Sequence, residues 1–540
     1  MKSTWFARAT AAAAVLAVSA VAAEAVTLRT FNGGEPASID PHRVSGDWEN
    51  RIVGDYLEGL MTEDANAVPV LGQAESFDIS EDGLVYTFTI RDDAVWSDGT
   101  PVTAADFEYA FKRLLDPALA ADYAYLQYPI LNAEAINAGE MDVNELGVVA
   151  TGEKTLEITL ENPTPYFLDA LTHYTAYPVP MHLVEEFGEE WIDMENIASN
   201  GPYTPVEWIP NSYIRAVKSE TYYAADSVSI DEVYYYSMDD ISAALQRYRA
   251  DEFDILTDFP ADQLSLLEDQ YPGEARVAPF LGLYYYVLNQ NLPALEDQSV
   301  REALSMAINR EIIGPDILGT GEIAAYGWVP PGTANYDFGE YRPDWADMEY
   351  GERVGMAVQM MEEAGYSDDN PLELQLRYNT NENHRRIAVA IAAMWEPLHV
   401  EVELFNSEVA VHYDALQEND FDGVGRAGWL MDYNDAINML ELLRSDIIYN
   451  YGRWANEDFD ALLRQSATMT DLEARAEVLR EAETIAMSEV AALPIYYYVS
   501  KNVVDTNICG FLDNAKDIHR TRWLTIVEDG ESCPDMMDGM

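Results

Sequence analysis

The sequence contains very little cysteine: among its 540 residues only Cys509 and Cys533 occur. No Cys-x-x-Cys spacing is present, which argues against a redox role. If the chain is exported, the two thiols are expected to form a disulfide that ties down the C-terminal tail. Closing a loop of about 25 residues would stabilise the fold by about 3 kcal/mol in the chain-entropy model.

Catalytic and metal-binding patterns are also missing. The histidines, at positions 42, 173, 182, 384, 399, 412 and 519, show no His-Glu-x-x-His spacing, and no Gly-x-Ser-x-Gly elbow occurs. Because Asp and Glu number 96, chance carboxylate pairs are unavoidable and do not indicate a glycosidase. We therefore expect a protein that is not an enzyme and holds neither a metal nor another cofactor.

Residues 423–428 match the Gly-x-Gly-x-x-Gly spacing of a dinucleotide-binding turn. Such a turn opens a helix whose N-terminus receives the phosphates. Here the apolar and aromatic residues 429–433 follow without a capping residue. The spacing therefore does not predict a nucleotide site.

Basic residues are scarce, since 31 Lys and Arg stand against 96 Asp and Glu, a net charge of −65. A surface this acidic repels nucleic acid and anionic lipid headgroups, so neither is expected as a partner. Two interpretations of the acidity remain open. The acids form a solvated surface suited to salty surroundings, or part of them select basic ligands.

The only long apolar run lies at the N-terminus. Lys2 and Arg8 precede the apolar run 10–23, which ends in small residues typical of a cleavage site. The run is shorter than the roughly 20 residues of a membrane-spanning helix. We expect residues 1–23 to be a signal peptide rather than a retained anchor, and the mature chain to be soluble.

The remaining chain reads as mixed α and β, too long for one core and without a flexible linker. Alternating residues predict strands at 84–90 and 156–160. Thr103 with Asp106 and Ser299 with Glu302 have the spacing of capping boxes that open helices. Further helices are predicted near 351–364, 384–396, 457–468 and 472–488. Two or three domains joined by crossing strands are expected.

Tyrosine is unusually frequent, with 34 residues and runs at 234–236, 284–286 and 496–498. Successive strand residues face opposite sides of a sheet. Each run could therefore place one ring in a core and present another to a cleft. Tyrosine is also simply a good strand former, so both interpretations stay open.

Several short segments, in order along nearly the whole mature chain, resemble those of the family-5 extracellular solute-binding proteins of ATP-binding-cassette peptide importers. They are Ile-Asp-Pro-His (39–42), Tyr-Leu-Glu-Gly-Leu (56–60), Trp-Ser-Asp-Gly-Thr-Pro-Val-Thr (96–103), Tyr-Leu-Gln-Tyr (125–128), Asn-Gly-Pro-Tyr (200–203), Arg-Glu-Ala-Leu (301–304), Ala-Tyr-Gly (325–327), Arg-Ala-Gly-Trp (426–429) with Asp-Tyr-Asn (432–434), and Pro-Ile-Tyr-Tyr-Tyr-Val (494–499).

The resemblance implies an α/β, two-lobed periplasmic binding protein fold with an extra inserted domain. It implies hinge strands near 280–285 and 497–501. The expected domains are a discontinuous first-lobe domain at 24–61, 186–281 and 500–540, an inserted domain at 62–185, and a second lobe at 282–499.

It also implies a ligand site. Asp432 is expected to pair with a peptide amine, and Gly428, Trp429 and Leu430 to offer their backbone to an extended ligand. Gly428 would permit the close approach of another main chain, and Trp429 would wall a side-chain pocket or lie in the core. Tyr125 and Tyr498, in two of the matching segments, are further candidates.

Arg426 and His384 match positions that receive the ligand carboxylate at different peptide lengths, with His384 able to charge near neutral pH. Either could instead pair with a local acid. Two departures stand out, because Gly282 and Leu430 replace cysteines of the family pattern and no lysine occurs near 318–321.

The function expected from the resemblance is periplasmic capture of short peptides and delivery to an inner-membrane permease, by a monomer. Within the same fold, dipeptides, cell-wall peptides, opines or a metal chelate are alternative ligands. A hydrolase and a holding chaperone are alternatives from other classes.

Overall fold

The computed structural model describes residues 25–238, 240–528 and 532–533. The predicted signal peptide, residues 1–23, lies outside these residues. In the described chain no helix is both long and apolar enough to cross a membrane.

Strands are numbered along the chain. They are β1 Thr27–Gly33, β2 Met61–Glu63, β3 Pro69–Leu71, β4 Ala74–Ile79, β5 Val85–Ile90, β6 Val148–Ala150, β7 Thr155–Thr159, β8 Tyr203–Ile209, β9 Tyr213–Lys218, β10 Glu232–Ser237, β11 Ile255–Leu256, β12 Ala275–Leu288, β13 Ile323–Ala324, β14 Leu372–Asn379, β15 Val400–Ser407, β16 Gly423–Leu430, β17 Ala492–Val504, β18 Ile508–Cys509 and β19 Thr525–Ile526.

The helices lie between these strands and pack on the sheets. They are α1 Asp47–Tyr56, α2 Ala104–Leu115, α3 Ala133–Asn137, α4 Phe167–Ala170, α5 Met181–Phe187, α6 Ile241–Tyr248, α7 Leu264–Gln270, α8 Pro293–Glu296, α9 Gln298–Ala307, α10 Arg310–Ile312, α11 Tyr350–Glu363, α12 Glu382–Trp395, α13 Val409–Gln417, α14 Ala436–Leu440, α15 Glu457–Ser466 and α16 Leu472–Ser488.

One sheet of 11 strands runs through the whole molecule in the order β15-β14-β16-β12-β17-β11-β1-β10-β9-β8, with β13 on β17. The strands β15, β14 and β16 belong to one lobe, and β11, β1, β10, β9 and β8 to the other. The adjacent antiparallel strands β12 and β17 connect them, so the two-lobed α/β architecture follows from the strand order. A separate sheet, β4-β5-β7-β6, lies in the region predicted to be inserted.

The connecting strands change register midway between the lobes. Pro279 pairs with Val499 and Leu283 with Tyr497, so three residues of β12, 280–282, stand opposite Tyr498 alone. This irregularity falls inside both predicted hinge segments. Bulges bend a strand and release it from its ladder, which suits a place where two lobes turn relative to each other.

Each lobe has its own buried core. In the first, Leu28, Phe107 and Ile214 belong to one cluster, so the predicted inserted domain shares a core with the strands around β1. In the second, Leu304, Ile387 and other residues of α9 and α12 pack on the sheet. Burial of these apolar faces is the main force that holds each lobe together.

The predicted helices are present with ends that differ by one or two residues, but one predicted capping box is wrong. Thr103 caps α2, with its N–H donating to Asp106 Oδ2 at 2.8 Å. Ser299 lies inside α9, and the cap is Asp297, whose Oδ1 accepts from the Ser299 N–H at 2.9 Å. The Asp297 carboxylate, two residues earlier, accepts from a free backbone N–H of the first turn and takes the capping role predicted for the Ser299 hydroxyl.

All three tyrosine runs lie on strands, β10, β12 and β17, but the expected division between core and cleft is wrong for the central run. Tyr284, Tyr285 and Tyr286 are all buried because β12 is covered on both faces. The run at 496–498 comes closer to the expectation, since only Tyr498 is partly exposed.

At the C-terminus, Cys509 and Cys533 are joined by a disulfide with their Cα atoms 5.5 Å apart. Strand β18, which contains Cys509, pairs with β19. The tail from β18 to β19 packs on the first lobe, where Phe511 and Leu524 join its core.

Candidate functional site

A cavity of about 450 Å³ lies between the two lobes. The first lobe lines it with side chains from α1, from the connections before α3 and α5 and from the C-terminal tail, including Asp47, Trp48, Tyr123, His173 and Lys516. The second lobe contributes the end of β16 and the turn after it, Gly428, Trp429, Leu430, Met431 and Asp432.

The last residues of β16 have a free edge. The strand pairs along 424–430 with β12, whereas its ladder with β14 stops at Gly425. Met431 N–H donates to Leu281 O at 2.8 Å, and Asn289 N–H donates to Gly423 O at 2.9 Å. In an antiparallel ladder every second residue hydrogen-bonds to the partner strand, so the N–H and C=O groups of the odd-numbered residues of β16 point toward β12.

The backbone groups of Gly428 and Leu430 therefore point away from β12, toward the open side. Arg426 has the same orientation, but its carbonyl already contacts His412 Nε2 at 2.7 Å. An extended chain that lies along this edge can hydrogen-bond to both Gly428 and Leu430 as an added strand.

Gly428 is required by its neighbours in the protein. A Cβ at this position would lie 2.6 Å from Tyr498 Oη and 3.0 Å from Arg426 Nη2. Tyr498 and Arg426 thus occupy part of the space on the side of Gly428 where a side chain would point. This space was expected to be open to another main chain. Gly282 is equally confined, because its Cβ would lie 2.5 Å from Leu430 Cδ2.

Asp432 lies two residues beyond the end of β16, next to its free edge. Its Oδ2 accepts hydrogen bonds from Tyr125 Oη at 3.4 Å and from Asn438 Nδ2 at 3.3 Å. Burial raises the pKa of Asp432 to about 6 against the opposing effect of these two donors, and the nearby negative charge of Asp47 adds to the rise. A carboxylate in this condition is stabilised by any cation that enters the cavity.

Trp429 walls the same region. Its ring lies 5.1 Å from that of Tyr449, and its Nε1 donates to Asn438 Oδ1 at 3.3 Å. Because the side chain is partly exposed and lines the cavity, it belongs to the cleft wall as well as to the edge of the second-lobe core.

Arg426 lies apart from the cavity. It is buried in the second lobe among the side chains of Tyr284, His384, Tyr413 and Tyr498, a cluster that we call the polar chamber. It donates to Tyr413 Oη at 3.0 Å and to Tyr498 Oη at 2.9 Å, and its guanidinium lies 4.7 Å from the Tyr284 ring centre. Arg426 Nε, Tyr284 Oη and His384 Nδ1 are buried and have no hydrogen-bond partner among the described residues. Such unsatisfied polar atoms mark a place where water or a polar ligand group is expected.

The expectation that His384 charges near neutral pH is wrong. Burial, together with the positive charge of Arg426 and the neighbouring His412, lowers the pKa of His384 to about 3. The imidazole is therefore neutral and can only donate or accept a hydrogen bond. Arg426 is the cation of this chamber.

The structure thus brings the predicted residues together in two groups. Gly428, Trp429, Leu430 and Asp432 border the cavity, with Tyr125 hydrogen-bonded to Asp432. Arg426, His384 and Tyr498 form the polar chamber.

Sequence reasoning missed Asp47, Trp48, His173 and Lys516. The only signal for Asp47 was its position in the first turn of a helix, which is also where structural acids are common.

Comparison with known proteins extends over almost the whole chain. A family model described as "Bacterial extracellular solute-binding proteins, family 5 Middle" matches residues 68–450. The periplasmic oligopeptide-binding protein OppA of Escherichia coli (strain K12) is 36% identical over 493 residues, which is 91% of this chain and 90% of that protein. The periplasmic murein peptide-binding protein MppA of the same strain is 36% identical over 498 residues, 92% of each chain.

Solved structures show the same similarity. The crystal structure of Haemophilus influenzae OppA in complex with RPPGFSPFR superposes with a TM-score of 0.80 at 33% identity, covering 94% of this chain and all of that one. The Escherichia coli murein tripeptide-binding protein MppA gives a TM-score of 0.82 at 35% identity.

Proposed function

The chain belongs to the bacterial extracellular solute-binding proteins of family 5, and we propose that it captures short peptides between its lobes in the periplasm for an ATP-binding-cassette importer. The family resemblance and the two-lobed fold predicted from the sequence are confirmed. This is a family of solute-binding proteins and not of enzymes.

One observation carries the proposal: the unpaired edge of β16 opens into the interlobe cavity beside a buried carboxylate. Gly428 and Leu430 offer backbone groups that recur in every peptide whatever its sequence. Main-chain bonds of this kind do not depend on the ligand's side chains, so the site accepts many sequences.

The two charged groups suit the two ends of a peptide. Asp432 is a desolvated carboxylate that gains a partner when a peptide ammonium enters. Arg426 is the only cation among the predicted site residues, and Tyr284 Oη and His384 Nδ1 beside it have no hydrogen-bond partner in the described chain, so a ligand carboxylate that reached this cluster would find a charged partner. Tyr413 and Tyr498 would then share their hydrogen bonds with the incoming group.

Native mass spectrometry of the freshly purified mature protein tests the proposal. We expect masses that exceed the polypeptide by those of short peptides and that disappear after denaturation. A ligand population without amino-acid composition, or hydrolysis of added peptides by the protein, would contradict a peptide receptor. Bound dipeptides or cell-wall peptides alone would narrow the function to another ligand within the family.

The remaining predictions are part of the same proposal. Residues 1–23 would be a cleaved signal peptide, and the mature monomer would meet the permease as a closed two-lobed particle. The domain limits would be those given by the resemblance, with 62–185 inserted in the first lobe. Limited proteolysis and N-terminal sequencing of the exported protein would test these boundaries.

A further inference from the structure

The loop that carries Asp432 is held from across the cleft at three consecutive positions. This loop, residues 432–435, follows β16 in the second lobe. Asp432 accepts from Tyr125 Oη at 3.4 Å. The Tyr433 ring stacks on that of Tyr166, with ring centres 4.3 Å apart and planes 7° from parallel. Asn434 N–H donates to Asp169 Oδ2 at 2.6 Å.

All three partners, Tyr125, Tyr166 and Asp169, come from the segment 62–185 of the opposite lobe. Tyr166 precedes the short helix α4, and Asp169 lies within it. Each of the first three residues of the 432–435 loop thus contacts the first lobe. We call these three contacts the clasp.

Within its own lobe the loop is rigidly anchored. Asp435 makes two buried hydrogen bonds to Arg475, at 2.8 and 2.9 Å. The Asn434 side chain accepts from Ala334 N–H at 2.8 Å, and Tyr433 Oη donates to Glu441 Oε1 at 3.2 Å. Because these bonds stay inside one lobe, they persist when the lobes separate. The contacts to Tyr166 and Asp169 cannot.

Asp169 is held in place by a contact within the first lobe. Its Oδ1 lies 3.0 Å from Lys516 Nζ, and Lys516 also lies 3.6 Å from Glu63. The ammonium fixes one oxygen of Asp169 and leaves the other for the Asn434 N–H. A hydrogen bond to a carboxylate is charge-assisted and stronger than one between neutral groups.

We propose that Tyr166 and Asp169 are positioning residues that hold the 432–435 loop against the first lobe and so stabilise the closed arrangement of the lobes. This inference rests on the proposed function, in which Asp432 binds the peptide amine. Ligand binding at Asp432 and the clasp at Tyr433 and Asn434 then act on one rigid loop. Two events that favour the same closed state strengthen each other by linkage, and the coupling is reciprocal.

The chain offers matched variants for a test. Tyr166→Ala removes the stacked ring, whereas Tyr166→Phe keeps it. Asp169→Ala removes the acceptor, whereas Asp169→Asn retains an amide oxygen for Asn434 and loses the charge that pairs with Lys516. Glu140→Ala removes an exposed acid from the same segment, where its side chain has no hydrogen-bond partner among the described residues, and controls for net charge.

Peptide dissociation from the full mature protein should be measured by stopped flow with tetraalanine and trilysine, alongside X-ray scattering with and without peptide. We expect Tyr166→Ala and Asp169→Ala to release peptide about five- to twentyfold faster, within the usual range of coupling between sites. Both should also stay more expanded at saturating peptide. Glu140→Ala should match the wild type, and Tyr166→Phe should lie close to it because it keeps the stacked ring and loses only the hydroxyl beside Tyr433. Asp169→Asn should fall between the wild type and the alanine variants.

The clasp can also be judged without ligand, because it should bias the empty protein. Both alanine variants should show a larger radius of gyration than the empty wild type. Wild-type release rates and dimensions in both alanine variants would overturn the inference while leaving peptide binding intact. A wild type that binds neither peptide and retains none after purification would instead reject the proposed function. A lower melting temperature with unchanged release and dimensions would assign the contacts a purely structural role.

Discussion

At the scale of single residues, the most consequential feature is the condition of Asp432. Its carboxylate is buried and has no ion pair among the described residues, and the side chains of Tyr125 and Asn438 donate to it. In the empty protein this group is costly to ionise, as its raised pKa shows. A ligand that brings a positive charge relieves that cost, so the carboxylate favours an amine-bearing ligand before any other contact forms.

We predict that Asp432→Asn weakens peptide binding at least tenfold, because the amide cannot form an ion pair with the ammonium. Calorimetric titration measures the change. The melting temperature of the empty protein should stay within a few degrees or rise slightly, since a costly buried charge is removed. Asp122→Asn, which removes an exposed acid near Tyr123, is the charge control. Unchanged affinity for Asp432→Asn would exclude Asp432 from the site.

Peptide affinity should also depend on pH. Asp432 is ionised above its pKa of about 6 and neutral below it, so affinity should fall as the pH drops through 6. At the alkaline end a peptide amine loses its proton near pH 8. The optimum is therefore expected between these values. Titrations from pH 4.5 to 9 would show it, and the acidic limb should vanish in Asp432→Asn. The same acidic limb in that variant would assign the dependence to another group.

At the scale of elements, the strand β16 combines structure and function along its length. Its first residues are paired on both sides, and its last residues on one side only. The change from two-sided to one-sided pairing takes place at Arg426, whose backbone carbonyl contacts His412 Nε2. The free edge is short, which limits unwanted pairing with other chains while leaving room for a bound one.

Gly428→Ala should disturb this element from within. The added methyl would meet Tyr498 Oη, so we expect a lower melting temperature of the empty protein and weaker peptide binding. Tyr498→Phe removes that oxygen and should restore part of the stability in the double variant. A single Gly428→Ala variant as stable as the wild type would show that Tyr498 moves aside freely.

The C-terminal tail is the second element with a direct test. We predict that Cys509 and Cys533 are oxidised in protein exported to the periplasm. Intact mass after alkylation without reductant should show no added label, and Cys533→Ser should lower the free energy of unfolding by about 3 kcal/mol. Two freely alkylated thiols would mean that packing alone holds the tail.

Local patterns predicted much of this molecule, and tertiary packing decided the rest. The helix after Thr103 and the strands that carry the tyrosine runs follow from nearest-neighbour spacing, which is legible in one sequence. The neutral state of His384 depends on burial and on Arg426 and His412, which belong to other elements of the fold, and the burial of Tyr284 depends on Tyr496, more than 200 positions away. The contact between Asp432 and Tyr125 is of the same kind, because only the closed lobes create it.

At the scale of the whole molecule, charge is the dominant property. The cavity contains the carboxylates of Asp47 and Asp432, and Asp47 has no hydrogen bond or ion pair within the described part of the chain. Lys516 and Arg520, which also line the cavity, are paired with Asp169 and Glu63, and Arg51 donates to the Asn32 carbonyl. Among cavity residues without an ion pair in the described chain, the carboxylates of Asp47 and Asp432 outnumber the guanidinium of Arg51, so the charge in the cleft is negative, in agreement with the surface as a whole.

We accordingly expect Ala-Lys-Ala to bind more tightly than Ala-Glu-Ala at low salt, with the difference shrinking as salt is added. Screening acts over about 8–10 Å at physiological ionic strength and weakens attractions between exposed charges. Competition titrations at low and high salt measure the preference, and Asp47→Asn should reduce it. Equal or tighter binding of the acidic peptide at low salt would show that the surface acids serve solubility alone.

The paired connection between the lobes has a mechanical consequence. Strands β12 and β17 are neighbours, and their ladder is interrupted where residues 280–282 oppose Tyr498 and again between Tyr284 and Tyr285. Two lobes joined by two adjacent strands that bend near the same level turn mainly about one axis. If the lobes turn mainly about this axis, the distance between remote points on the two lobes changes as the cleft opens and closes. A membrane partner that touches both lobes at once can distinguish the loaded from the empty protein without contacting the ligand.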